Sequence, residues 1–151
     1  MIRNEKEYQN TIQSIEALKK RHAEQVQALK KLDISDDDIR AVTEPELIFL
    51  EDLEDEARTY ERLCQGNASE LSKFWKLENA GKLLIALRIF HGLTPSQLAE
   101  KLDVHPSQVT RDEKNEYSGI TIERFQKIVS TLDSGSIKIS FQPNEEEAVP
   151  A

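Results

Sequence analysis

Cysteine is nearly missing from this chain. Cys64 is the single one, so no internal disulfide can form, and His22, His91 and His105 are too scattered to build a metal-ligand cluster. Long apolar runs are missing too. Hydrophobic residues make up 38% of the 151 and charged residues 32%, and no stretch approaches the roughly 20 apolar residues of a membrane span, so no membrane contact is expected. The opening Met-Ile-Arg-Asn-Glu-Lys-Glu-Tyr turns charged at once and has no apolar segment followed by small residues. It reads as a soluble, cytoplasmic start, not a secretory signal. An excess of basic charge is also lacking: 20 Lys and Arg face 28 Asp and Glu, a net charge of -8. That excludes a nonspecific nucleic-acid coat, whose binding rests on phosphate neutralisation. The chain shows no nucleophile–base pair, no Gly-rich phosphate loop and no metal spacing, so neither an enzyme nor a bound cofactor or metal is expected.

The charge that is present is unevenly spread. Residues 1–76 carry 12 basic and 17 acidic side chains, residues 77–133 carry 7 and 8, and residues 134–151 carry 1 and 3. The acidity therefore lies mainly in the first half. There Tyr8, Ile12, Ile15, Leu18, Val26, Leu29 and Leu32 recur every three or four residues, the pattern of an amphipathic helix. His22 sits on that stripe as a seam residue. Ser35, followed by Asp36, Asp37 and Asp38, is a capped helix start, and a short helix to about Val42 is expected. Thr43-Glu44-Pro45-Glu46 repeats the start signal, with Thr43 as N-cap and Pro45 in the first turn. A second long helix then carries Leu47, Leu50, Leu53, Ala57, Tyr60 and either Leu63 or Cys64 inward, Cys64 being read as a small core residue, and ends near Gly66. Neither helix can bury its stripe alone. They are expected to pair as an antiparallel hairpin over residues 1–66, with coiled-coil-like contacts within the chain or with a partner. The acidic runs at 36–38 and 51–56 read as caps and solvated faces. Residues 67–76 read as a linker whose Leu71, Phe74 and Trp75 are apolar enough to dock on a neighbour.

A different texture begins at residue 77. Leu83, Leu84, Leu87 and Phe90 form a short helical stripe closed by Gly92. Thr94 and Pro95 then supply an N-cap and a first helical residue for a helix ending near Leu102. After Asp103-Val104-His105, Pro106 opens a third helix to about Lys114, polar on its outer positions and anchored inward through Val109 alone. Two short helices joined by a tight turn describe a helix-turn-helix.

Gly92-Leu93-Thr94, Leu98-Ala99, Leu102, Val104, Val109, Arg111 and Glu113, followed by Ile122 to Ile128 and Leu132, resemble the XRE or Cro/phage-repressor helix-turn-helix. The resemblance covers residues 77–133 and implies a five-helix, lambda-repressor-like DNA-binding domain. It places Arg88 and Glu113 where family members commonly have an ion pair, and it sends the third helix into the major groove with Ser107, Gln108, Thr110 and Arg111 toward the bases. Thr94, Ser96 and Gln97 would meet phosphate, as would Pro106, Lys114 and Asn115 at the ends of the third helix, with Tyr117 just beyond. Where the family often has Gln after the Thr this chain has Pro95, and where it has a polar residue at the start of the recognition helix this chain has Pro106. Both changes remove side-chain contacts.

Ile137 to Phe141 alternates apolar and polar residues and reads as one short strand pairing across a dimer, followed by a disordered acidic tail. The expected fold is thus all-α with one C-terminal strand. The expected function is a homodimeric, sequence-specific regulator of transcription bound to double-stranded operator DNA. Its order, a helical hairpin before the DNA module, resembles HigA-type antitoxins, which implies a toxin protein as partner and autoregulation. The alternative is a protein–protein adaptor that works through its N-terminal hairpin.

Overall fold

Asn4 starts the first helix by accepting the Glu7 amide on its side chain at 3.0 Å, while the Glu7 carboxylate reaches back to the Arg3 amide at 2.9 Å. This reciprocal cap opens α1 (Glu5–Lys31) in the computed structural model, which describes residues 1–133. Five further α-helices follow among those residues: α2 (Asp36–Cys64), α3 (Ala80–Phe90), α4 (Pro95–Leu102), α5 (Pro106–Lys114) and α6 (Ile122–Leu132). Two 3-10 segments, Ala68–Phe74 and Leu77–Asn79, lie between α2 and α3. The described residues are all-α. The strand expected at 137–141 and the tail beyond it lie outside them.

At about 1.5 Å per residue, α1 and α2 are rods of roughly 40 Å. They run antiparallel, as their cross-contacts record: Tyr8 with Glu61, Lys19 with Glu54 and Arg21 with Glu46. The Tyr8 and Tyr60 rings stack with centroids 5.3 Å apart. Three carboxylates of α2, those of Asp36, Glu46 and Glu54, thus meet cations of α1.

Three readings of this half need correction. Thr43 is not an N-cap and no helix ends at Val42: α2 runs unbroken from Asp36 with Pro45 inside it, and the Thr43 hydroxyl donates to the Ile39 carbonyl at 2.9 Å. Pro45 leaves the Ala41 carbonyl without its intrahelical donor, but Ile39 and Thr43 are buried on either side of that carbonyl and the helix continues through it. The core position at the end of α2 belongs to Leu63, fully buried, whereas Cys64 is exposed. Gly66, in the left-handed region at φ 74°, closes the helix as its conformational freedom allows. The segment after it packs closely, with Leu71 buried, while Trp75 is open to solvent.

Helix α3 organises the rest. Leu84, Ile85, Ala86, Leu87, Arg88 and Ile89 are all buried, six in succession. The one-sided stripe read from the sequence is therefore too narrow, because α3 is packed on every side, as a helix is when it forms the centre of a core. Its buried residues share one core with Ala57, Tyr60 and Leu63 of the hairpin base, Leu71 of the 3-10 segment, and Leu98, Leu102, Val109 and Ile128. The five-helix expectation also changes: residues 77–133 hold four α-helices.

Candidate nucleic-acid interface

The turn into α4 is built by its own residues. Gly92 takes φ 66°, and Thr94 caps α4 by accepting the Gln97 amide at 3.2 Å while the Gln97 side chain accepts the Thr94 amide at 2.8 Å. Pro95 occupies the first turn, where no amide hydrogen is needed. Asp103 then turns left-handed at φ 56°, a conformation Asp tolerates better than most residues. His105 caps α5: its Nδ1 accepts the Ser107 amide at 3.2 Å and lies 2.8 Å from the Ser107 hydroxyl. Lys127 of α6 donates to the Leu102 carbonyl at 3.3 Å and so ties off the end of α4.

Helix α5 divides into three faces. Val109 and Glu113 point inward and are buried, so the anchoring is not by Val109 alone. Ser107, Thr110, Arg111 and Lys114, spaced three or four apart, form one exposed stripe. Gln108 and Asp112 face α6. With the Gln108 amide oxygen turned to Arg124, it accepts from Nη1 at 2.9 Å and Nη2 at 3.1 Å, and Asp112 pairs with Arg124 at 2.5 Å. Arg124 thus braces the flank of α5 and neutralises the acidic residue nearest the stripe. Sequence reading passed over it, because nothing in a linear pattern places residue 124 beside residues 108 and 112.

Beneath the stripe, Arg88 and Glu113 form a buried ion pair through Nε and Oε1 at 2.5 Å and Nη2 and Oε2 at 2.8 Å. Arg88 also donates to the Leu93 carbonyl at 2.7 Å and to the Arg3 carbonyl at 2.8 Å. One guanidinium therefore joins the recognition helix, the turn before α4 and the segment that leads into the hairpin. Burial pushes the Glu113 carboxyl above the usual carboxylate range, and Arg88 only partly offsets it.

After α5 the chain turns through Glu116 and Tyr117, both left-handed at φ 50° and 53°. Such residues cost about 1 to 3 kcal/mol each and persist where their surroundings fix them. Here Tyr117 is only 5% exposed and its amide donates to the Asp112 carbonyl at 2.7 Å. The Glu116 carbonyl lies where a Cβ on Gly81 would sit, at 1.8 Å. Tyr117 is accordingly a core residue and no candidate for touching phosphate. Lys114 and Asn115 remain exposed at the end of α5, Pro106 at its start, and Thr94, Ser96 and Gln97 at the start of α4.

Residues 84–137 match a family model described as Helix-turn-helix. What the match supports is a helix-turn-helix of the XRE type over this span. The match covers little more than a third of the chain, so it characterises α3 to α6 and says nothing of the hairpin. It supports a DNA-binding regulator of transcription. No curated protein and no solved structure matches the chain. No helix among the described residues is long and apolar enough to cross a membrane.

Proposed function

We propose that the protein is a homodimeric, sequence-specific repressor of its own promoter and the antitoxin of a type II toxin–antitoxin pair. The helix-turn-helix domain reads the operator and the hairpin meets the partner. The observation that carries the DNA half is the stripe Ser107, Thr110, Arg111 and Lys114, exposed on the helix whose opposite side is fixed by buried Val109 and Glu113. Arg111 pairs with a guanine edge, a contact worth about 1 to 3 kcal/mol of discrimination. Lys114 and Asn115 meet phosphate, as do Thr94, Ser96 and Gln97 at the exposed start of α4. Gln108, its oxygen engaged by Arg124, offers its NH2 outward to a base acceptor. The domain is almost neutral, with 7 basic and 8 acidic residues over 77–133, so binding is modest and rests on this one face. A symmetric dimer spans half-sites about 34 Å apart.

The test is a salt titration of the protein on its own promoter fragment and on scrambled DNA, with wild type and Arg111→Ala compared. Promoter preference in the wild type that Arg111→Ala abolishes is the expected result, with Lys114→Ala weakening both fragments alike and lowering the salt slope by about 1. Equal weak binding to both fragments, unchanged by Arg111→Ala, would refute the DNA reading and leave the adaptor reading, which the exposed apolar residues of α2 favour. The antitoxin half predicts that co-expression with the product of the adjacent gene yields a stable complex and relieves its toxicity.

A further inference from the structure

The hairpin base is buried in the common core, but its outer half is not. Val42, Ile48 and Phe49 are 62%, 56% and 54% exposed. With Pro45 they fall on one flank of α2 at helical spacing, turned away from the buried Ile39 and Thr43 and the half-buried Leu50. Phe49 also forms one wall of an open groove of about 510 Å³ between the helices, whose other walls include Ala17, Leu18 and Leu53. The apolar surface therefore continues from the flank into the seam of the hairpin. Contiguous exposed apolar surface of this kind, rimmed by polar residues, marks an interaction site.

The rim says what fits. Helix α2 carries 11 acidic and 3 basic residues, whereas α1 carries 4 and 6. Glu44, Glu51 and Asp52 beside the apolar residues are exposed and have no ion-pair partner among the described residues. DNA is repelled by such a surface. A second copy docked symmetrically would set this acidic helix against itself. In a copy turned the other way, α1 brings only Lys6, Lys20 and Lys31 without an ion-pair partner among the described residues, because Lys19, Arg21 and Lys30 already pair with Glu54, Glu46 and Asp36; three cations meet the 11 acidic residues of α2.

We infer that the outer flank of α2, centred on Val42, Ile48 and Phe49, docks a basic partner protein that inserts an apolar helical ridge between its cations. This builds on the partner-binding half of the proposed function. It is tested without DNA, so that its failure leaves the DNA reading standing.

The probes are two designed amphipathic peptides with the same leucine spacing, one with lysine and one with glutamate at every other position, titrated calorimetrically into the full chain. The lysine peptide binds and the glutamate peptide does not. Raising salt from about 50 mM to about 500 mM weakens the complex, because the rim charges are exposed. Ile48→Ser with Phe49→Ser lowers affinity by about tenfold or more, and Glu51→Lys with Asp52→Lys does likewise. All four positions are solvent-facing, so helix content measured by circular dichroism stays at the wild-type level. Equal binding of both peptides, or binding indifferent to the serine pair, overturns the assignment. So does a dimer in sedimentation equilibrium that Phe49→Ser dissociates, which gives the face to a second copy. Tighter peptide binding after Ile137→Ser with Phe141→Ser would give it to the chain's own C-terminal segment, and that too overturns it.

Discussion

The helix-turn-helix domain and the outer half of the hairpin use the same residue types to opposite ends. In the domain, the pair Arg88–Glu113 is buried and every polar branch of Arg88 is spoken for. Gly81 admits a carbonyl into contact, and two left-handed residues hold Tyr117 in the core. In the outer hairpin the pairs Lys19–Glu54 and Arg21–Glu46 have at least one partner open to water, and Val42, Ile48 and Phe49 are uncovered. A surface that must hold four side chains in register over a groove needs the first construction. A surface that completes itself on a partner works with the second.

That contrast is broken most severely at Arg88. Arg88→Ala leaves the Glu113 carboxylate buried without its cation and strips donors from the Leu93 and Arg3 carbonyls. Loss of about 3 to 5 kcal/mol in urea unfolding is expected, against less than about 1 kcal/mol for Arg21→Ala on the hairpin surface. Similar values for the two would mean that the domain is no more tightly specified than the arm. Next in size is Gly81→Ala, whose new methyl meets the Glu116 carbonyl. The loop at Glu116 and Tyr117 must shift, at a cost of about 1 to 3 kcal/mol, and promoter affinity falls because that loop positions Lys114 and Asn115. A variant of unchanged stability and affinity would show that the loop is not held as described.

Pro45→Ala works in the other direction. The proline costs a helix interior up to about 3 kcal/mol relative to alanine, and its replacement restores a donor to the Ala41 carbonyl. Stabilisation of about 1 to 2 kcal/mol is expected, seen as slower amide exchange around residues 39–49 with no change on α3 to α6. Exchange that slows across the whole chain would instead couple the hairpin tip to the domain.

The two regions also differed in how openly the sequence announced them. Caps and breakers are local, so Ser35, Gly66, Gly92, Thr94 and Pro95 could be read one turn at a time, and the short helices of the domain followed. Pro45 carried the same local signal and misled, because the burial of Ile39 and Thr43 outweighs one lost backbone bond. Periodicity left Leu63 and Cys64 undecided, since neighbours on a helix differ by only 100° and the choice is made by where α3 lies. Tyr117 looked like a loop residue at the edge of the site, and only its close fit under Glu116 and Gly81 shows it to be core. The exposed stripe on α5 was legible from polarity. The brace from Arg124 and the link from Arg88 to Arg3 were not, because both join residues distant in sequence.

The smallest effect is also the one that separates the regions by sign. At the hairpin base, burial pushes the Glu70 carboxyl up, but hydrogen bonds and charge from Lys73 and Arg62 prevail and hold it below its ordinary 4.5. A carboxyl lowered in the folded state stabilises above its unfolded pKa, and that contribution is lost as pH falls through the folded value. Glu113 is raised by burial, so its contribution is complete below 4.5 and is lost as pH rises through the folded value. Between about pH 3 and pH 7, Glu70→Gln should therefore flatten the fall in stability on the acid side. Glu113→Gln should steepen the rise on acid-to-neutral titration, because it removes a group whose ionisation works against folding. What is compared for each mutant is the difference between its slope of unfolding free energy with pH and the wild-type slope, which leaves out the pH-independent cost of breaking the buried pair in Glu113→Gln. If the two differences share a sign, Arg88 outweighs burial at Glu113, and the domain's central pair behaves like the surface pairs of the hairpin after all.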